Sequence, residues 1–328
     1  MGCLKKSLSL LLAVAVGIVS AIAYLPSTAN IVNAASAKYE YISFAVKEEH
    51  SINFNTEVKN GDYYLRVIGE DYRNYKIQIK NGTSGKYKTT KINTQPRYGF
   101  VGNGKFLYYI EKTSKNNVLK RYNYKTGKIE KIKKLPVSEN INNKNIEGEE
   151  CEILGVCGDY IFITCYNDIA VPEGTVIYSF NIKNKKIKRS GLENHGNELT
   201  NGKYLVVENA PRTDFRARAF DIYKLKNDGT VKKIKRVTKK AMAVTLYNDT
   251  IYWVSISKDE SAANSKNVLY SMKINGSGKK TLFKANKKKP LYYTGFADDK
   301  GVVVNCDGGK LYKYSFKTKK LTRYKSSY

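Results

Sequence analysis

Short apolar and aromatic runs alternate with turn residues along most of the chain. After Ala37 no stretch keeps a 3.6-residue apolar period. Instead, a turn followed by an aromatic-aliphatic run recurs six times, and a second apolar run, a turn rich in Gly, Asn and Lys, and a short basic run follow it. This pattern predicts an all-β fold made of repeats. The six copies begin at Gly61, Gly104, Gly158, Gly202, Asn248 and Lys300.

The spacing of the repeats predicts the architecture. The second apolar run of the first repeat ends at Ile79 and that of the last at Phe316, which gives five intervals of about 47 residues. Each repeat also opens with a further strand, such as residues 152–156. Four strands in about 47 residues make one blade of a β-propeller, so we expect six blades of four antiparallel strands. A two-domain β-sandwich is the alternative, but it does not require a constant repeat length.

Residues 38–46 (KYEYISFAV) predict one more strand, outside the six repeats. We expect this strand to pair with the last blade and close the ring, which would remove an open sheet edge. The alternative is a partial seventh blade.

The N-terminal segment has the order of residues that is typical of a secretory signal peptide. Lys5 and Lys6 precede an almost wholly apolar run, residues 8–25, and small-residue sites follow at residues 32–34 and 35–37. We therefore expect a signal peptide at residues 1–37 and a single propeller domain at residues 38–328. The expected location is extracellular, in association with the cell wall. The alternative is an uncleaved anchor, because the run is barely long enough to span a bilayer.

The chain is strongly basic, with 58 Lys and Arg against 29 Asp and Glu and a net charge of +29. The lysines concentrate in the last turn and last strand of the repeats, where rotation would gather them at one rim. A basic rim attracts polyanions, and for an exported protein these would be an anionic wall polymer, an acidic glycan or an acidic protein rather than nucleic acid. The alternative is that edge lysines only prevent edge-to-edge association. The candidate polyanion-binding residues are Lys185, Lys186, Lys188, Lys232, Lys233 and Lys235.

Candidate catalytic residues are few. Glu149 and Glu150 lie in an acidic run, and His195 lies in the next connection on the same predicted face. Paired carboxylates of this kind serve polysaccharide-cleaving enzymes. His195 and Glu198 lack a third ligand, so no metal or other cofactor is predicted. The four cysteines after residue 37, at positions 151, 157, 165 and 306, are expected to be buried free thiols.

Two segments of the fifth repeat carry a family resemblance. Residues 249–253 (DTIYW) and 269–282 (LYSMKINGSGKKTL) resemble YWTD-type propeller repeats. They are similar to a domain of unknown function, related to the lipoprotein-receptor propeller, in exported clostridial proteins. The resemblance implies a six-bladed propeller and brings no catalytic residues. The sequence as a whole therefore favours a secreted, non-enzymatic binding or scaffold module, with an extracellular polysaccharide hydrolase or lyase as the alternative.

Overall fold

The computed structural model describes residues 38–44, 57–69, 75–95, 98–113, 116–136, 150–166, 175–193, 198–208, 218–256, 265–306 and 309–324. All the strands belong to the unit Tyr39–Tyr328. The predicted signal peptide, residues 1–37, lies outside the described residues. Within those residues, no helix is long and apolar enough to cross a bilayer.

The described strands form six antiparallel sheets, which we number in chain order. Strand β1 (Glu40–Ile42) comes first in the chain and belongs to sheet two. Sheet one contains β2 (Glu57–Asn60), β3 (Tyr63–Gly69), β4 (Tyr75–Asn81) and β5 (Lys88–Thr89). Sheet two adds to β1 the strands β6 (Phe100–Gly102), β7 (Phe106–Lys112), β8 (Asn117–Asn123) and β9 (Ile129–Lys134). Sheet three contains β10 (Glu150–Cys157), β11 (Tyr160–Tyr166), β12 (Val176–Asn181) and β13 (Ile187–Glu193).

The remaining three sheets repeat this order. Sheet four contains β14 (Glu198–Thr200), β15 (Tyr204–Glu208), β16 (Arg218–Leu225) and β17 (Val231–Ala241). Sheet five contains β18 (Val244–Tyr247), β19 (Thr250–Ser255), β20 (Val268–Lys273) and β21 (Lys280–Lys284). Sheet six contains β22 (Thr294–Ala297), β23 (Gly301–Asn305), β24 (Leu311–Ser315) and β25 (Leu321–Arg323). The predicted all-β fold of four-stranded antiparallel sheets is therefore confirmed.

Apolar clusters hold consecutive sheets together. Five clusters of buried side chains occur among the described residues, and each combines residues of two sheets that follow one another in the chain. They join sheets one and two, two and three, three and four, four and five, and five and six. In sheets two to five, the second strand is apolar on both faces because each face belongs to a different cluster. In β19, for example, Trp253 faces sheet four and Val254 faces sheet six.

The prediction for the N-terminal strand is wrong. Strand β1 pairs with β6, the first strand of sheet two, and not with the last sheet. Its side chains explain this position, because Ile42 and Phe44 join the cluster between sheets one and two, and Phe44 contacts Phe100 edge to face at 5.5 Å. On the other face, Tyr41 packs against the cluster between sheets two and three. Strand β1 is therefore an extra strand of sheet two and not the start of a seventh sheet.

The expectation of free thiols is wrong for two cysteines. Cys151 in β10 and Cys165 in β11 are directly opposite each other, with their Cα atoms 4.2 Å apart, and they form a disulfide. The two cysteines are 14 residues apart in the sequence, and the antiparallel pairing of β10 with β11 brings them together. Cys306 is a buried free thiol, as expected, and burial raises its pKa to about 11. Cys157 is free and half-buried.

Candidate functional site

The candidate lysines lie on or beside the last strands of sheets three and four. Strands β9, β13, β17, β21 and β25 are the last strands of sheets two to six, and all of them carry Lys or Arg. Strand β17 is the longest of these strands, with 11 residues. Its segment 232–236 is exposed, and Ile234 at its centre is 38% exposed. We call these five strands the basic outer strands.

Two of the candidate lysines connect neighbouring sheets. Lys188 Nζ of sheet three donates to the carbonyl oxygen of Asp228, 2.7 Å away in the last turn of sheet four. Lys235 Nζ of sheet four donates to the carbonyl oxygen of Gly276, 2.6 Å away in the last turn of sheet five. These amines therefore satisfy backbone acceptors of the next sheet, and only part of their hydrogen-bonding capacity remains for a ligand.

Lys233 serves a buried acid. Asp221 of β16 is 1% exposed and receives hydrogen bonds from Lys233 Nζ at 2.5 Å and from Arg236 Nε at 2.8 Å. Burial alone would raise the pKa of Asp221, but the hydrogen bonds from Arg236 and Lys233 outweigh it and lower the pKa. Asp221 is therefore a buried anion that holds two cations of β17 in place.

The other three candidate lysines, Lys185, Lys186 and Lys232, make fewer side-chain contacts with the described residues. Lys185 occupies the left-handed position of the β12–β13 turn, with φ 58°, and Lys186 follows it. The side chain of Asn181 closes this turn by accepting from the backbone N–H of Lys183 and Asn184. Lys232 is exposed directly opposite another lysine, Lys224. No described residue forms a side-chain hydrogen bond or ion pair with Lys186 or Lys232, so both ammonium groups can meet a ligand.

The structure describes one of the three candidate catalytic residues. Glu150 begins β10, is nearly buried, and lies 3.4 Å from Lys112 Nζ. Glu149 and His195 lie outside the described residues, so the predicted pairing of the two glutamates with His195 stays a prediction. No group of three His, Cys, Asp or Glu side chains among the described residues is arranged to hold a metal ion.

Sequence reasoning missed a cluster of cations and tyrosines on sheet one. Arg66 Cζ lies 3.8 Å from the centre of the Tyr87 ring, and Lys80 Nζ lies 4.9 Å from the ring centres of both Tyr64 and Tyr87. The Glu57 carboxylate forms an ion pair with Lys80 Nζ, 2.8 Å away, and accepts a hydrogen bond from the Tyr87 hydroxyl. We call these five residues the cation–tyrosine face. The signal was the presence of polar residues at alternate positions, Tyr64 and Arg66 in β3 and Lys76, Gln78 and Lys80 in β4, where the second strands of sheets two to five have apolar ones.

The succession of four-stranded antiparallel sheets, packed in chain order, defines the chain as a β-propeller protein. No protein-family profile and no curated protein matches the sequence. The β-propeller domain of the Trilobed protease from Pyrococcus furiosus is 16% identical, with 88% of this chain and 83% of that chain covered and a TM-score of 0.42. TolB from Acinetobacter baumannii is 13% identical, with 66% and 50% covered and a TM-score of 0.36.

A chain from a study of two prolyl endopeptidases is 11% identical, with 98% of this chain and 47% of that chain covered and a TM-score of 0.47. The chain spans half of the Acinetobacter TolB and 25% of the tricorn protease. Likeness at this level carries no argument about what the chain does.

Proposed function

We propose that the chain is an exported, six-bladed β-propeller that acts as a binding or scaffold module for an anionic polymer of the cell envelope. The observation that carries this proposal is the concentration of cations on the basic outer strands. In β17 alone, Lys232 and Lys235 are exposed on either side of the exposed Ile234. Exposed lysines at one rim raise the local potential and draw in a polyanion.

Six described sheets and six sequence repeats support the blade number. Each repeat turn found in the sequence lies between the first two strands of one sheet; for example, Gly158 separates β10 from β11. We also propose a relationship to YWTD-type propellers. It rests on the fifth repeat, where residue 249 ends the turn into β19 and residues 250–253 are the first four of the six residues of β19.

The disulfide supports export. Disulfides persist in oxidising compartments and are rare in the cytosol, so Cys151–Cys165 fits a protein that leaves the cell. We propose that the mature chain begins between Ala35 and Lys38. Intact-mass analysis of the exported protein tests this, and a mass that still includes residues 8–25 would show that the segment is an anchor.

The chemistry of lysine supports a polymer rather than one compact ligand. An ammonium group is a strongly hydrated point charge with little geometric selectivity. Lys186 and Lys232 are on neighbouring sheets, and neither has a charged partner among the described residues. A flexible chain with repeated negative charges can contact such separated cations in turn, and a wall polymer or an acidic glycan has this property.

The experiment compares two double variants in sedimentation with purified cell wall. Lys186→Glu/Lys232→Glu changes exposed lysines on or beside the basic outer strands. The matched control, Lys203→Glu/Lys300→Glu, gives the same change in net charge at exposed turns next to β15 and β23. We expect the first variant to bind at least about tenfold more weakly than the control, because it places negative charge where the polymer is bound. Equal binding by the two variants would show that only net charge matters and that the outer strands are not the site.

A further inference from the structure

The cation–tyrosine face occupies a special position in the order of sheets. Five apolar clusters join six sheets, and among the described residues no such cluster joins sheet six to sheet one. In sheets two to five the second strand contributes buried residues to two clusters, as Tyr108 and Tyr109 of β7 show. In β3 only Leu65 and Val67 belong to a cluster, and they face sheet two. The opposite side of sheet one is polar in β4 and, apart from Ile68, in β3.

Cross-strand register places the polar side chains together on this side. Glu57 is opposite Arg66, and Tyr64 is opposite Lys80. Gln78 is opposite Arg66 in the next pair, and its Oε1 accepts from Arg66 Nε at 2.9 Å. These residues alternate with the apolar residues that form the core, so the face results directly from strand pleating.

The charge of the face is positive. Lys59 Nζ lies 5.8 Å from the Tyr64 ring centre and adds a third cation to Arg66 and Lys80. Glu57 is the single acid among the described residues of this face, and it is 40% exposed. Its carboxylate accepts from the Lys80 ammonium group and from the Tyr87 hydroxyl, and the Lys80 side chain is 13% exposed, so an incoming carboxylate reaches Lys80 by displacing Glu57.

We infer that the cation–tyrosine face binds an acidic saccharide, whose carboxylate meets Arg66 and Lys80 and whose pyranose ring lies against Tyr64 or Tyr87. Arg66 Nε donates a hydrogen bond to Gln78 Oε1, and no described residue accepts a hydrogen bond from the two terminal nitrogens of Arg66. A guanidinium edge of this kind matches a carboxylate with two parallel hydrogen bonds. Both tyrosines are half-buried, and the part of each ring that the Arg66 and Lys80 cations leave uncovered is an apolar surface that suits a sugar ring better than a linear polyol phosphate.

This site is separate from the basic outer strands and rests on the proposed function only because export brings the protein to extracellular glycans. The two can therefore fail independently. Lys186→Glu/Lys232→Glu, which weakens wall binding, should leave saccharide binding at sheet one unchanged.

The test is titration calorimetry with tetragalacturonate, maltotetraose and a glycerol phosphate oligomer. We expect tetragalacturonate to bind, and maltotetraose and the glycerol phosphate oligomer to bind at least about tenfold more weakly. Arg66→Gln and Lys80→Gln should each weaken tetragalacturonate binding by about tenfold, since each removes a charged hydrogen bond. Glu57→Gln should strengthen it, because it removes the competing carboxylate. Thermal unfolding of each variant reports whether the fold is intact.

Two further variants make the test decisive. Arg66→Lys keeps the positive charge but cannot form the two parallel hydrogen bonds of a guanidinium group, so it should also weaken tetragalacturonate binding. It replaces Arg66→Gln if Arg66→Gln does not fold. The control, Lys203→Gln/Lys300→Gln, removes two cations elsewhere and should bind normally. The inference is overturned if tetragalacturonate does not bind, if either of the other probes binds as tightly, or if the control loses as much affinity as Arg66→Gln.

Discussion

At the scale of single residues, the close approach of Tyr41 to Gly202 holds β1 against the sheets. A Cβ atom at Gly202 would lie 2.4 Å from Tyr41 Cβ, and the φ of Gly202 is +83°. Gly202→Ala should therefore lower the free energy of unfolding by about 2 to 4 kcal/mol, the sum of a left-handed backbone penalty and overpacking. Urea denaturation measures this.

Gly278→Ala is the matched control for Gly202→Ala. Gly278 also has a positive φ, +65°, but nothing lies within 4 Å of an added Cβ. Gly278→Ala should lower the free energy of unfolding only by the backbone penalty, about 1 kcal/mol. Equal destabilisation by the two substitutions would show that Tyr41 does not pack on Gly202.

The disulfide gives a second prediction at this scale. Cys151 and Cys165 are 14 residues apart, and closing a loop of this length in the unfolded chain is worth about 3 kcal/mol. Cys151→Ser/Cys165→Ser should lower the free energy of unfolding by about that amount, with Cys157→Ser as a control of small effect. Digestion without reductant should release the two peptides linked to each other. Separate peptides under those conditions would contradict the disulfide.

At the scale of elements, the lysines that connect neighbouring sheets should contribute to stability. Lys235→Ala removes the hydrogen bond to the carbonyl of Gly276 and should cost about 0.5 to 1 kcal/mol, since the pair is exposed. Lys232→Ala, three residues earlier on the same strand, should change the free energy of unfolding by less than about 0.5 kcal/mol. If the two variants are equally stable, the hydrogen bond from Lys235 to the carbonyl of Gly276 does not contribute to stability.

The pairing of β16 with β17 predicts a dependence on pH. The pKa of Asp221 is lowered in the folded state, so its contribution to stability is present above its unfolded pKa of about 3.9 and is lost as the pH falls through the lower folded pKa. The free energy of unfolding should therefore decrease below about pH 4. Asp221→Asn should be less stable at neutral pH and should show a shallower decrease; an unchanged slope would contradict the assigned role.

Local pattern predicts the elements of this chain well and their partners less well. The second apolar runs of the repeats, which form the third strands of the sheets, were placed correctly; β24, for example, ends at Ser315, one residue before the predicted end at Phe316. Strand β1 was recognised from its apolar residues, but its partner was not, because any open edge satisfies backbone hydrogen bonds equally. The contact of Phe44 with Phe100 determines that β1 pairs with β6, and this contact joins residues that are far apart in the sequence.

In the candidate site, too, the sequence predicts which residues are present but not which partners they contact. The basic outer strands follow from composition, since Lys232, Lys233 and Lys235 stand together in the sequence. Their different roles do not, because the partners Asp221 and Gly276 are set by strand register and by the packing of one sheet on the next. The cation–tyrosine face also needed the register, which places Tyr64 opposite Lys80.

At the scale of the whole molecule, the proposed function requires the basic propeller to bind an anionic wall polymer through exposed charges. The most direct measurement is sedimentation of the wild-type protein with purified wall, with and without its anionic polymer, over a series of salt concentrations. We expect binding to the complete wall that weakens steeply between about 0.05 and 0.5 M salt, because exposed charges are screened over about 10 Å at 0.1 M. We expect little binding to the stripped wall. Equal binding to both walls that does not change with salt would contradict it.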